Sequence, residues 1–419
     1  MRVMVVGGGA REHTLTWKLR ESDKISGLFV APGNAGTAEI AQNLDVFVSN
    51  LDAICQAAQE NKIDLVVIGP EIPLADGLVD MLQDLGIASF GPDKAAAQIE
   101  SSKVFAKRLM HKYGIPCAKD AVFTSFDEAS EYVKSQKVPL VVKADGLAAG
   151  KGVIVAQSND EAIKALSDIM VGRAFGDAGN QVVIEECLVG REASMLAFTD
   201  GKTVAPIIPA CDYKRAFDGD RGPNTGGMGV YSPPSFINEE LQESIVKTIL
   251  EPAVKAMAAE STPYKGMLYA GLMLTDQGPK VLEFNARFGD PETQVQLPLL
   301  KSDLLEIMLA TVEGKLDKVN IEWSDKSCVG VVLASEGYPG SHKIGLPITG
   351  LEDLNSDVLV FHAGTASENG TIYTAGGRVL TVVATDSSIS RAREKVYSNI
   401  SRIRFDNSFY RKDIAAEEA

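Results

Sequence analysis

Three polar side chains at alternate positions interrupt an apolar run: Glu283, Asn285 and Arg287 within the stretch from Val281 to Phe288. Successive side chains on a β-strand point to opposite faces, so these three share one face, each roughly 7 Å from the next. A carboxylate and an amide oxygen at that spacing suit a hard cation such as magnesium. A guanidinium on the same row suits a phosphate oxygen. Phe284, Ala286 and Phe288 take the other face and enter a core. A half-exposed strand with a polar outer face would show the same alternation. The turn Gly289-Asp-Pro291 then breaks the strand and brings Asp290 and Glu292 towards the same end, which favours chemistry.

Four other stretches carry candidate groups. Between two β-branched runs, Asp145 to Gly152 holds glycines at 146, 150 and 152, with Lys143 and Lys151 beside them. Glycine lets backbone amides turn towards an anion, so this reads as a phosphate-binding hairpin tip. It is not a P-loop, because the glycine spacing is one residue short and Gly152 stands where Ser or Thr belongs. The stretch from Val182 to Ser194 is a strand ending in Glu185, Glu186, Cys187 and Leu188, then a turn, then Glu192. A chain crossing between two sheets there would offer backbone groups to a purine edge and Glu192 to a ribose; on the segment alone a plain strand-turn-strand edge with solvated acids is the preferred reading. Cys211 to Gly229 reads as a long, ordered polar loop with Asp212, Lys214, Arg215 and a glycine-rich end around Met228. Near the start, Gly7-Gly8-Gly9 lacks the third glycine of a dinucleotide fingerprint, since Glu12 stands there, and no acid ends the second strand. That loop suits a single phosphate, with Glu12 facing a cationic or amine group.

The elements that must position these groups follow from hydrophobic patterning. Strands at Val3–Val6, Leu28–Val30, Leu65–Ile68 and Ala88–Phe90 alternate with helices, predicting a parallel α/β unit. Its ligands belong at the strands' carboxyl ends, which carry Gly8, Gly9, Asn34 and Glu71. A helix from Ser101 to Met110 leads out to an α+β segment. Antiparallel strand signals fill the region after Ser327, and a helix from Ser390 to Ile403 closes it. The 419 residues exceed what one core supports. A net charge of −15 argues against nucleic-acid binding, and no apolar run reaches membrane-spanning length. The five cysteines are scattered, and no signal peptide precedes the first strand, so a cytoplasmic protein is expected.

Taken together, these motifs resemble the phosphoribosylamine–glycine ligase (glycinamide ribonucleotide synthetase) family of the ATP-grasp superfamily. The resemblance is carried nearly end to end by GGGAREH at Gly7–His13, APGNAGT at Ala31–Thr37, IGPE at Ile68–Glu71, VVKADGLAAGKGV at Val141–Val153, GPNTGGMG at Gly222–Gly229, EFNARFGDPETQ at Glu283–Gln294 and FHAGT at Phe361–Thr365. It implies a multidomain α/β and α+β fold: an N-terminal parallel α/β domain (1–101), an ATP-grasp core (102–325) with a mobile lid subdomain at about 118–190, and a small antiparallel C-terminal α+β domain (326–419). It also implies ATP-dependent joining of glycine to 5-phosphoribosylamine through glycyl phosphate. Another ATP-grasp carboxylate–amine ligase or carboxylase of purine synthesis would share the flap and metal strand but lack GPNTGGMG. In this family's terms Glu283 and Asn285 would hold magnesium, or manganese in its place. Lys103, Lys143, Gly150, Lys151 and Gly152 would meet the ATP phosphates, Glu185, Glu186 and Leu188 the adenine, and Glu192 the ribose. Arg287, Lys151 and Asp212 would be catalytic; Gly8, Gly9, Glu12, Asn34, Glu71, Lys214, Arg215 and Met228 would serve the two small substrates. A transient contact with the preceding pathway enzyme would hand over the labile amine. Two departures stand out: Cys211 and Tyr213 replace the family's usual Gln and His, and Ser101 stands where Gly is expected.

Overall fold

The computed structural model describes residues 1–147 and 152–418. The first sheet is parallel throughout: β1 (Arg2–Gly7), β2 (Gly27–Pro32), β3 (Gln42–Asn43), β4 (Leu65–Ile68) and β5 (Ala88–Phe90), in the order β3-β2-β1-β4-β5. Its central strands are apolar on both faces, as a sheet covered by helices on both sides requires. The edge strand β3 was not expected; two residues are too short for any period to register.

Helix Lys103–Tyr113 leads out of this unit. The expected single helix from Ser101 is split, because Ser102 adopts extended backbone and accepts from the Phe105 N–H as an N-cap. An antiparallel sheet follows, built of β6 (Asp120–Phe123), β7 (Leu140–Ala144), β8 (Val153–Ala156) and β9 (Val182–Glu186) in the order β6-β9-β7-β8. Helices Phe126–Ser135 and Asn159–Leu166, each capped by a serine, pack their apolar faces on Val142, Ala144 and Ile184. The chain then crosses to another antiparallel sheet, where the segment alone favoured a plain strand-turn-strand. This core sheet contains β10 (Arg191–Asp200) and β11 (Val204–Pro206), with β16 (Lys265–Thr275) and β17 (Gly278–Asn285) beyond them, ordered β11-β10-β16-β17. One face packs on helix Lys103–Tyr113 through Ala106, Leu109 and Met110. The other face meets helix Leu304–Glu313, which also touches the parallel sheet at Val5 and Val67. One apolar layer thus fixes the two sheets relative to each other.

Cys211 to Gly229 is not a long loop. It contains β12 (Cys211–Asp212), the hairpin β13 (Arg215–Phe217) with β14 (Arg221–Asn224), and the start of β15 (Gly229–Ser232). β12 and β15 extend the C-terminal sheet, made with β18 (Ser327–Ala334), β20 (Val358–His362) and β23 (Arg378–Asp386) in the order β12-β15-β18-β23-β20. A small sheet of β19 (Pro347–Ile348), β21 (Thr365–Glu368) and β22 (Thr371–Thr374) sits beside it, and helix Ile389–Ile400 packs on Val331, Val382 and Leu380. β12 pairs with β15, whose other partner β18 lies about a hundred residues on, and single-strand patterning cannot reveal that pairing. Among the described residues no helix is long and apolar enough to cross a membrane.

Candidate active site

The site forms where β17 ends, against the sheet carrying β7 and β9. In β17, Val281 pairs with Leu272 and Glu283 with Gly271, leaving Leu282 as an extra residue. Such a bulge turns a backbone group away from the ladder. The Leu282 carbonyl accepts from Lys143 Nζ at 2.9 Å, so a lysine of one sheet is anchored to the backbone of the other. The same Nζ lies 2.9 Å from Glu185 Oε1, and Lys107 approaches that oxygen at 3.2 Å.

The strand stops at Asn285, two residues before the expected row of three is complete. Arg287 instead comes round a bend and returns, donating from Nη2 to Asn285 Oδ1 at 3.1 Å. It is steadied by Glu100 at 3.2 Å and Glu71 at 3.5 Å, two acids of the N-terminal segment. Glu100 also accepts from the Ala286 N–H at 2.6 Å, which sets the bend. Burial raises the Glu100 carboxyl despite Arg287, whereas at Glu71 Arg287 and Arg11 outweigh burial and lower it.

Glu283 is the electrostatic centre. Burial alone would raise its carboxyl, but Lys214, Lys143, Lys103 and Arg287 together hold it below the usual range. No described residue donates a hydrogen bond to it, so its oxygens keep their lone pairs. An ionised carboxylate beside the Asn285 amide oxygen is a hard-oxygen donor set, and it fits magnesium. Lys103, depressed by burial and supported by Glu283, donates to the Gly146 carbonyl at 2.9 Å. Asp145 accepts from Ser102 Oγ and the Val104 N–H at 3.1 Å each, tying the hairpin base to a helix N-terminus. Gly152 is buried and accepts from the Ala144 N–H at 2.9 Å. Gly150 and Lys151 lie outside the described residues.

The strand β12 accounts for the first departure noted above, at Cys211 and Tyr213. Alternation sends Cys211 and Tyr213 into the C-terminal core, with Tyr213 OH accepting from the Ala415 N–H at 3.0 Å, and turns Asp212 and Lys214 to the cleft. Burial and the neighbouring Glu292 and Glu192 raise the Asp212 carboxyl, against the pull of Lys214. The expected ribose partner Glu192 is 3.1 Å from Lys214 Nζ through Oε2, which leaves its other oxygen free to accept from a hydroxyl. Arg215 bonds the Gly222 carbonyl at 2.9 Å and braces its own hairpin. Met228 needs correction: its side chain is fully buried, its N–H donates to Tyr213 and its carbonyl accepts from Val332, so no part of it faces a substrate.

At the end of β9, Glu186 Oε1 accepts from the Lys119 N–H at 3.0 Å. Among the described residues the Leu188 N–H donates to no acceptor, which leaves it available to a purine edge. In the N-terminal loops, Gly8 approaches the Gly33 carbonyl so closely that a Cβ would lie 2.7 Å from it. Glu12 accepts from the Gly9 N–H at 2.7 Å and pairs with Arg11 at 2.6 Å, so its cationic partner is a residue of this chain. Asn34 ties its own loop through the Gly36 and Thr37 N–H groups and reaches the Gly8 and His362 carbonyls at 3.0 and 2.7 Å.

Sequence reasoning brought Asp290 and Glu292 to this end but missed the groups that hold them. Glu292 is buried and accepts from Tyr269 OH at 2.6 Å and Ser194 Oγ at 3.0 Å, beside Asp212. Asp290 is held at 2.7 Å by Arg378 of β23, which also donates to the Gly226 carbonyl at 2.6 Å. The acidic turn was a visible signal for Asp290 and Glu292; nothing local marks Arg378 or Tyr269.

Two sheets closing on a lysine-lined cleft, with an acid and an amide at a strand end, define an ATP-grasp protein. The solved biotin carboxylase domain of the Hydrogenobacter thermophilus 2-oxoglutarate carboxylase, in complex with ADP, magnesium and bicarbonate, has the same fold (TM-score 0.75, 13% identity, 97% of this chain and 91% of that one). Family descriptions match in order along the chain: phosphoribosylglycinamide synthetase N domain over residues 1–100, ATP-grasp (A) domain over 101–293 and C domain over 328–417. A phosphoribosylamine–glycine ligase of Halalkalibacterium halodurans is 51% identical over 100% of this chain and 97% of its own length. The crystal structure of the Thermotoga maritima enzyme of that name superposes with a TM-score of 0.87 at 35% identity, covering 99% of this chain and 100% of that one. The chain belongs to the phosphoribosylamine–glycine ligase family of ATP-dependent ligases of de novo purine biosynthesis.

Proposed function

We propose that this chain ligates glycine to 5-phosphoribosylamine using ATP, and that the residues gathered at the end of β17 carry the reaction. The observation that supports this most directly is Glu283, an acid kept ionised in a partly buried cleft by four cations from four separate segments. Phosphoryl transfer asks a protein mainly for positioning and cancelled charge. Lys103 and Lys143, with Gly150, Lys151 and Gly152, meet the phosphates of ATP. The backbone at Glu185 to Leu188 receives the adenine. Magnesium, or manganese, held by Glu283 and Asn285 would cancel charge on the γ-phosphoryl group. A glycine carboxylate oxygen attacks the γ-phosphorus, ADP leaves, and Arg287 steadies the acyl phosphate. The amine nitrogen of phosphoribosylamine then attacks the glycyl carbonyl carbon, loses a proton, and phosphate departs. Asp212, whose carboxyl burial raises, takes that proton in this reading. Glu71, Lys214 and the Gly8–Gly9 loop orient the small substrates, and Glu12 and Asn34 hold that loop in shape.

Residues 1–101, 102–325 and 326–419 act as the three functional units, with 118–190 as the lid, in a cytoplasmic enzyme that receives its labile amine by transient contact with the preceding enzyme. A phosphate-release assay tests the core reading. ATP-dependent phosphate should require both glycine and phosphoribosylamine. Release that needs neither, or that needs bicarbonate instead of glycine, would refute it.

A further inference from the structure

A cluster behind the Glu185 end of the ATP cleft has the donors of a transition-metal site. His111 lies in the last turn of helix Lys103–Tyr113, Cys117 in the short connection after it, and Asp120 at the start of β6. One ligand atom from each lies within 4.8 Å of the other two. The His111 Nε2 and Asp120 Oδ1 atoms are already 2.6 Å apart. The Asp120 carboxylate is only 4% exposed while the His111 ring is 53% exposed, so the cluster opens to solvent on one side. Imidazole nitrogen, thiolate sulfur and carboxylate oxygen together prefer zinc-like dications over magnesium or calcium, which favour all-oxygen shells.

Electrostatics permit occupancy. Lys107 is the competing cation, but it lies nearer Glu185 (3.2 Å) than Asp120 (3.6 Å), and its Nζ also donates to the Ala118 carbonyl. A dication would be balanced by one thiolate and one carboxylate, with Lys107 left to Glu185. The Cys117 thiol is raised, chiefly by burial, so binding releases its proton to solvent. The position has mechanical meaning as well. Cys117 forms a bridge with Val281 of β17, Val281 N–H donates to the Pro116 carbonyl at 2.8 Å, and Asp120 pairs in register with Glu185 of β9. The three ligands therefore span the joint where the lid sheet leaves the core.

We propose that His111, Cys117 and Asp120 form a binding site for zinc or a similar borderline dication, with water as the fourth ligand, that braces the base of the lid. The test uses the full-length enzyme freed of metal. Cobalt(II) should give a thiolate-to-metal charge-transfer band that saturates at a single equivalent and is displaced by zinc. Competition with a chromogenic chelator should show zinc binding weakened about tenfold or more in both H111A and C117S, and unchanged in C55S. Zinc should slow wild-type turnover at saturating magnesium, and H111A, whose ring is at the surface, should escape that inhibition. A charge-transfer band that survives C117S, or zinc affinity and inhibition identical in wild type and H111A, would overturn the proposal. The inhibition arm requires turnover, but the cobalt and chelator arms do not, so they stand even if the ligase reading fails.

Discussion

Replacing Glu283 by glutamine keeps the shape of the site and removes one charge. In the folded chain that charge answers Lys214, Lys143, Lys103 and Arg287 together. A unit charge pair about 6 Å apart, at an effective dielectric near 20, is worth about 3 kcal/mol. Loss of a metal-ligand carboxylate is of the same order, several kcal/mol. At about 1.4 kcal/mol per tenfold, the expected fall in kcat is about a hundredfold or more. The direction of the Michaelis constants discriminates further. The site becomes more positive, so the KM for ATP should not rise, while the KM for magnesium should rise because a donor is gone. Because Glu283 offsets four cations in the folded chain, the variant should also lose some stability, and circular dichroism at the assay temperature checks that it remains folded. The assay is steady-state phosphate release with glycine saturating, phosphoribosylamine generated in place, and magnesium titrated. Turnover within tenfold of wild type at saturating magnesium would refute the assignment of Glu283.

Other outcomes follow from the same geometry. Glu12→Ala should lower stability by about 1–3 kcal/mol in denaturant unfolding, because Glu12 is 2% exposed and satisfies both Gly9 N–H and Arg11; an unchanged midpoint with a raised phosphoribosylamine KM would make it a ligand contact instead. Tyr269→Phe should cost about 1–3 kcal/mol and lower kcat, since the buried Glu292 carboxylate would keep only Ser194; wild-type stability would contradict this. Burial, with the mutual repulsion of the pair at His13, depresses His13 to about 3 and His362 to about 4. The unfolded chain takes up those protons near pH 6.5, so stability should be full above that value and decline as pH falls from about 6.5 towards 4. His13→Asn, which keeps an acceptor for the His362 N–H, should flatten that decline; the same slope in the variant would assign it to carboxylates.

The sequence made legible what depends on local period and composition. The parallel strands of the N-terminal sheet and the alternation that places Glu283 and Asn285 together read directly from the chain, whereas the segment from β9 to β10 alone favoured a plain strand-turn-strand. The cleft-facing pair Asp212 and Lys214 also read directly from the chain, though their segment was taken for a loop. What stayed hidden rests on distant partners. The bulge at Leu282 matters because Lys143, far away in sequence, meets the freed carbonyl. Arg287 joins the metal strand through a bend set by Glu100, not through strand alternation. Met228 looked like part of a binding loop because glycines surround it, yet strand pairing with β18 buries it. Arg378 sits in an ordinary C-terminal strand, and only the folded chain brings it to Asp290.

The central claim is that glycine is activated at its carboxylate by phosphoryl transfer within this cleft. Oxygen tracing tests it directly. Glycine labelled with oxygen-18 in its carboxylate should be supplied with ATP, magnesium and phosphoribosylamine, and the released phosphate analysed by mass spectrometry. Attack by the carboxylate on the γ-phosphorus, then expulsion of phosphate by the amine, moves one labelled oxygen from each glycine into phosphate. The account predicts phosphate carrying that single label, in step with ligated product. Unlabelled phosphate formed alongside the product would contradict it.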